Sequence, residues 1–87
     1  MDWQSFKEKK IAVKCTSEKE NFFSDCIKNN IHIFLSEQAK KRDFFVCSLC
    51  YVSQFSEGRY ELTAVDEWQV KPKGLFGNEG LQIVDYV

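Results

Sequence analysis

The spacing of hydrophobic and polar positions changes along the chain, and the changes divide it into elements. Trp3 and Phe6 stand at helical spacing behind Asp2, a residue type that caps helices, which predicts a short helix within residues 1–9. Lys10 to Cys15 alternates, placing Ile11, Val13 and Cys15 on one face of a strand and Lys10, Ala12 and Lys14 on the other. Ser17-Glu18-Lys19-Glu20 has the form of a capping box, so Ser17 is expected to cap a helix running from Glu18 to Asn29. Phe22, Phe23, Cys26 and Ile27 share one face of that helix, and Phe22, Phe23 and Ile27 are predicted to be buried on a sheet. Asn29-Asn30 supplies a residue that tolerates the left-handed conformation at the helix exit.

The second half reads as strands. Ile31 to Leu35 is a strand, Ser36 to Asp43 a polar connection, and Phe44 to Phe55 the longest strand signal. The last is apolar on both parities, as in a central strand covered on both sides. Glu57-Gly58 marks a turn. Arg59 to Val65 alternates, with Tyr60, Leu62 and Ala64 opposite Arg59, Glu61 and Thr63, which predicts a strand with one solvated face, in a hairpin with the strand before it. Thr63-x-x-Asp66 fits the cap of a short helix that Pro72 would end. Residues 73–80 form the longest irregular stretch, and Leu81 to Tyr86 closes the chain as a strand. The order β-α-β-β-β-β predicts an α+β fold, with one main helix packed on a four- to five-stranded antiparallel or mixed sheet.

A chain of 87 residues is expected to fold around one core, as a single domain spanning 1–87. With 44% hydrophobic and 29% charged residues it falls outside both the disordered and the membrane-spanning classes. The longest uncharged stretch, Phe44 to Ser56, is shorter than the roughly 20 apolar residues a bilayer requires. No apolar run follows a basic start near Met1, so a cytoplasmic location is expected. Twelve Lys and Arg stand against thirteen Asp and Glu, a net charge of -1. That is neither the basic balance of a duplex-binding domain nor the acidity of a nucleic-acid mimic, so recognition must use local patches.

A cytosolic setting predicts that the four cysteines are thiols. Cys15 and Cys26 sit in apolar patterns and read as small buried residues. Cys47-Ser48-Leu49-Cys50 has the spacing of a zinc knuckle or redox dithiol, but in a strand residues three apart point to opposite faces and cannot share an ion. No metal or cofactor is therefore expected. His32, the single histidine, reads as a strand residue facing away from Ile31 and Ile33, with no nucleophile tied to it by a motif. Asp66-Glu67, with Glu57 and Glu61 upstream, reads as exposed charge. The stretch from Gly74 to Gly80 has neither the terminal GK[ST] of a phosphate loop nor a GxGxxG fingerprint, and is read as a flexible connection carrying Phe76 as an aromatic anchor. Lys40-Lys41-Arg42 is the single basic triplet, which Lys71 and Lys73 could extend into a patch for phosphates or acidic proteins. Two Trp, three Tyr and eight Phe are hard to bury around one helix. Trp3, Tyr60, Trp68 and Phe76, with polar or glycine neighbours, are the candidates for a surface that self-associates or binds a partner.

The run from Lys10 to Glu20, KIAVKCTSEKE, followed by an amphipathic helix and Asn29-Asn30-Ile31, resembles a group of small proteins encoded by phages and prophages of Gram-positive bacteria. The closing Gly80-Leu81-Gln82-Ile83-Val84-Asp85-Tyr86 is similar to the way they end, so the likeness covers the first third of the chain and its last strand. It implies a mobile-element origin and supplies no functional residues. Small phage proteins without catalytic groups are often inhibitors of host factors or defence complexes. The expectation is a non-enzymatic binding protein of the anti-CRISPR or anti-defence type that occludes a host or defence protein, with Phe76, Trp68, Lys40, Lys41 and Arg42 at the interface. The alternatives are a nucleic-acid or nucleotide-binding module using residues 40–42, and a small zinc or thiol enzyme.

Overall fold

The computed structural model of the chain describes residues 1–33, 36–50, 58–70 and 81–86, residue 36 by its backbone. The elements are α1 (Trp3–Lys7), β1 (Ile11–Lys14), α2 (Lys19–Lys28), β2 (Ile31–Ile33), α3 (Ser36–Ala39), β3 (Phe44–Cys50), β4 (Arg59–Val65), a 3-10 turn (Glu67–Gln69) and β5 (Gln82–Asp85). The strands form one five-stranded sheet in the order β2-β4-β3-β1-β5. The fold is α+β, as the pattern predicted, and the sheet is mixed. β3 is antiparallel to both β1 and β4, whereas β2 is parallel to β4 and β5 to β1, so β3 alone runs against the other strands.

This topology makes α2 a crossover from the fourth position of the sheet to its edge, and the crossover covers one sheet face. Phe22, Phe23 and Cys26 of α2 and Phe6 of α1 meet Ile11, Val13, Phe45, Cys47 and Leu62 in the main core. On the opposite face Ala12, Phe44, Val46 and Val65 form a second cluster with Val70, which follows the 3-10 turn, and Leu81, which precedes β5. Successive strand residues face opposite ways, so Phe44 to Cys47 being buried throughout is the signature of a strand covered on both sides. The solvated face expected of β4 holds at Arg59 and Thr63 but not at Val65, which the second cluster buries.

Five local readings need correction. Ser17 does not cap α2. Glu18 occupies the N-cap in the left-handed region, at φ 58°, with no side-chain cap bond, and the Cys15 thiol donates to the Ser17 carbonyl at 2.9 Å. A burial constraint wins over the local cap: the core-facing Cys15 and the inward rings of Phe22 and Phe23 fix where the helix starts. Ile27 is 64% exposed. At 100° per residue it lies about 90° from the mean direction of Phe22, Phe23 and Cys26, on the flank of the helix and not on its buried face. The connection from Ser36 to Asp43 contains the short helix α3, whose Ala39 is buried. Trp3 is half-buried, stacked on Phe22 with ring centroids 6.1 Å apart, and is not a surface candidate. Tyr60 is likewise half-buried against the core, with the Lys7 ammonium 5.4 Å from its ring centre.

Other local readings match, in whole or in part. Asp2 caps α1, accepting from the Ser5 N–H at 3.1 Å and from its hydroxyl at 2.7 Å. Asn30 leaves α2 at φ 63°. The short helix expected from Thr63-x-x-Asp66 is the 3-10 turn, but Thr63 does not cap it: Thr63 lies in β4, and Asp66 is the N-cap, its N–H donating to Gln69 Oε1 at 2.7 Å. The predicted continuation of β3 through Phe55, the turn residue Glu57, and Lys71, Lys73 and Phe76 of the glycine-rich stretch lie outside the described residues.

Candidate interaction surface

Four strands end together at one margin of the sheet, and the segments that follow them gather the predicted charged residues there. In open sheets built from parallel strands this carboxyl margin is where connections diverge to the two faces and leave concave surface. Here β1 leads into α2 on one face, while β4 leads into the 3-10 turn and Val70 on the other. A groove of about 490 Å³ opens between α3 and β4, floored by Ala39, Leu62 and Ala64 and walled by Gln38, Arg42, Asp66 and Gln69. A second hollow of about 520 Å³ surrounds the start of α2 and reaches Lys40.

The basic triplet lies between these hollows, and most of its charge is already matched. Lys40 faces Glu37 at 3.6 Å and Glu20 at 4.0 Å. Arg42 pairs with Asp66, bridging the loop before β3 to the turn after β4. Lys19 of α2 reaches across to Asp43 at 2.9 Å and to the Lys40 carbonyl at 2.8 Å, so the loop is tied at both ends. Lys41 has no ion-pair partner among the described residues. The structure thus brings Lys40, Lys41 and Arg42 together with Trp68, which is 49% exposed on the 3-10 turn that Arg42 holds through Asp66. Only Glu37 and Lys40, three residues apart, are neighbours in sequence; the other pairings join distant positions, as with Arg42 and Asp66, 24 residues apart.

Of the cysteines only Cys15 lies at this margin, just past the end of β1, where its N–H donates to the Asp43 carbonyl at 2.8 Å. Cys15, Cys26 and Cys47 are buried in the main core and Cys50 is half-buried. Burial pushes the Cys26 thiol up to about 12 and the Cys47 thiol to about 11, and raises that of Cys15 as well. A thiol so raised stays protonated at neutral pH and is a poor nucleophile and metal ligand. Cys47 stands opposite Leu62 and Cys50 opposite Arg59 in the β3–β4 register, on opposite faces of the strand. His32 is exposed on β2, level with Glu61. Among the described residues no group of His, Cys, Asp and Glu is placed to hold a metal ion, and no helix is long and apolar enough to cross a membrane.

No family model matches the chain, and neither a curated protein nor a solved structure matches it.

Proposed function

We propose that this chain is a non-enzymatic binding protein that inhibits a host or defence protein by occluding it, of the anti-CRISPR or anti-defence type, with the carboxyl margin of the sheet as its contact surface. The observation that carries this reading is the assembly of Trp68, Arg42 and Asp66. A large half-exposed ring sits on a turn closed by its own hydrogen bonds, two residues after the Asp66 that pairs with Arg42. Interfaces draw most of their affinity from such anchored aromatic residues, with a polar rim that excludes water and sets register. The resemblance to phage-encoded proteins supplies the anti-defence part of the proposal.

The pairing of Lys40 and Arg42 weighs against the nucleic-acid alternative. A phosphate would have to displace Glu37, Glu20 or Asp66 before it gained either cation, and the exchange would release fewer counterions than a free basic patch. The test is affinity capture from phage-infected or defence-active bacterial cells, repeated with Trp68→Ala and with a nuclease-treated extract. A single protein species retained after nuclease treatment and lost with Trp68→Ala supports occlusion. Capture that disappears with nuclease and survives Trp68→Ala would replace it with the nucleic-acid reading.

A further inference from the structure

The turn that carries Trp68 is short, and backbone bonds alone hold such a turn loosely. Its three residues, Glu67–Gln69, follow β4, with bonds from the Gln69 N–H to the Asp66 carbonyl at 3.0 Å and from the Val70 N–H to the Glu67 carbonyl at 3.2 Å. The i to i+3 bonds of a 3-10 turn are poorly aligned, which keeps these helices short and quick to fray. Here a side chain closes the turn a second time. The Asp66 N–H donates to Gln69 Oε1 at 2.7 Å while the Gln69 N–H returns to the Asp66 carbonyl, so the two residues grip each other across Glu67 and Trp68. A glutamine or glutamate at the third helical position is the residue type that reaches back to the cap in this way.

The two ends of the turn are held by different means. Val70 is fully buried in the second cluster with Ala12, Phe44, Val46 and Val65, which fixes the exit. At the entrance Asp66 pairs with Arg42, but both side chains are about half exposed, and a pair in that setting holds weakly. Gln69 grips the same entrance residue by its backbone, from a half-buried position in the wall of the groove beside β4. Between these fixed points the Trp68 ring stands 49% exposed. We propose that Gln69 is a positioning residue for Trp68: by accepting the Asp66 N–H it keeps the turn shut, and the ring in one orientation, before any partner arrives. An anchor ordered beforehand avoids the affinity that is lost when side chains and loops must be ordered on association. This consequence for binding rests on the carboxyl-margin reading, whereas the ordering of the free protein does not.

The test uses the protein prepared with 5-fluorotryptophan, in which Trp3 and Trp68 each give a fluorine resonance and Trp68→Phe assigns them. Gln69→Ala should narrow the Trp68 resonance and move it toward that of the free amino acid, with the Trp3 resonance and the melting temperature unchanged. Gln69→Glu, whose carboxylate accepts the same N–H, should restore it. An unmoved Trp68 resonance in Gln69→Ala, equal movement of Trp3, or no rescue by Gln69→Glu would overturn the proposal. Against the captured partner, Gln69→Ala should weaken binding about fivefold and should add no further loss to Trp68→Ala. A loss of the same size in both backgrounds would make Gln69 a contact in its own right, and the positioning role would fall. Full binding by Trp68→Ala would instead remove the occlusion reading, and the fluorine spectra would still decide whether Gln69 orders the ring.

Discussion

Phe22 shows what a single side chain contributes to this fold. Its ring is fully buried and lies 5.0 to 6.2 Å, centre to centre, from those of Trp3, Phe6, Phe23, Phe45 and Tyr86, which come from α1, α2, the central strand β3 and the residue after the edge strand β5. Removing it opens a cavity that no one neighbour can fill. Phe22→Ala should cost about 3 to 5 kcal/mol in urea unfolding. Ser17→Ala, which the capping-box pattern would put near 1 kcal/mol, should stay within about 0.5, because the hydroxyl makes no cap. A loss near 1 kcal/mol would restore the cap. The buried thiols give a second prediction at this scale. Cys26 and Cys47 keep their protons to about 12 and about 11 in the folded chain, against the ordinary thiol value of 9.0. Above pH about 9 the unfolded chain ionises first and binds fewer protons than the folded one, so stability falls as pH rises. The thiol contribution is whole below that pH and is lost progressively toward the folded values. Urea midpoints measured between neutral pH and pH about 10.5 should decline, and Cys26→Ala should flatten the decline. An equal slope in both proteins would show that the thiols are not its source.

At the scale of elements, β5 depends on contacts that its own sequence does not supply. Its outward residues are exposed, and among the described residues it pairs with β1 alone. It is held at its end by Tyr86, whose N–H donates to the Lys14 carbonyl at 2.9 Å and whose hydroxyl donates to the Asp25 carboxylate on α2. The same hydrogen bond pushes the Tyr86 hydroxyl up to about 12, because ionisation would set two negative charges together. Tyr86→Phe should cost about 1 kcal/mol and speed hydrogen exchange in β5 well before it affects β3. Uniform acceleration across the sheet would show that β5 does not open on its own. The contrast between these strands also explains what was legible in the sequence. Arg59 to Val65 and the double parity of Phe44 to Cys47 carry much of their burial in their own pattern, so both were legible as strands, β3 as far as Cys50 and β4 except for the burial of Val65. The start of α2 was misread because a Ser-x-x-Glu pattern records local propensity only. Cys15 and Phe22 decide the helix start through contacts with distant strands. Trp3 was misjudged for the same reason: polar neighbours in sequence do not reveal that Phe22 stacks on it.

The whole molecule distributes charge unevenly in kind and not in amount. At the carboxyl margin Lys19, Lys40 and Arg42 each have a carboxylate partner, so the candidate site was legible as a basic loop and an exposed tryptophan but not as a neutralised, cross-braced surface. Exposed pairs of this kind contribute under about 1 kcal/mol each to stability, and their value for binding lies in register and exclusion of water. Trp68 is the group there with enough surface to dominate affinity. Once the captured partner is purified, Trp68→Ala should therefore weaken the complex by about 2 kcal/mol or more with the melting temperature unchanged. The triple alanine variant at Lys40, Lys41 and Arg42 should act mainly on the association rate, and less than three free cations would, because two of the three charges are already balanced. For the same reason the logarithm of the binding constant should fall only slightly with the logarithm of salt concentration, where displacement of counterions by several phosphate contacts would give a slope of about -0.9 per contact. Calorimetry and surface kinetics across a salt series measure all three quantities on the same proteins. A steep salt slope together with intact binding by Trp68→Ala would mean that free positive charge, and not the aromatic anchor, carries recognition.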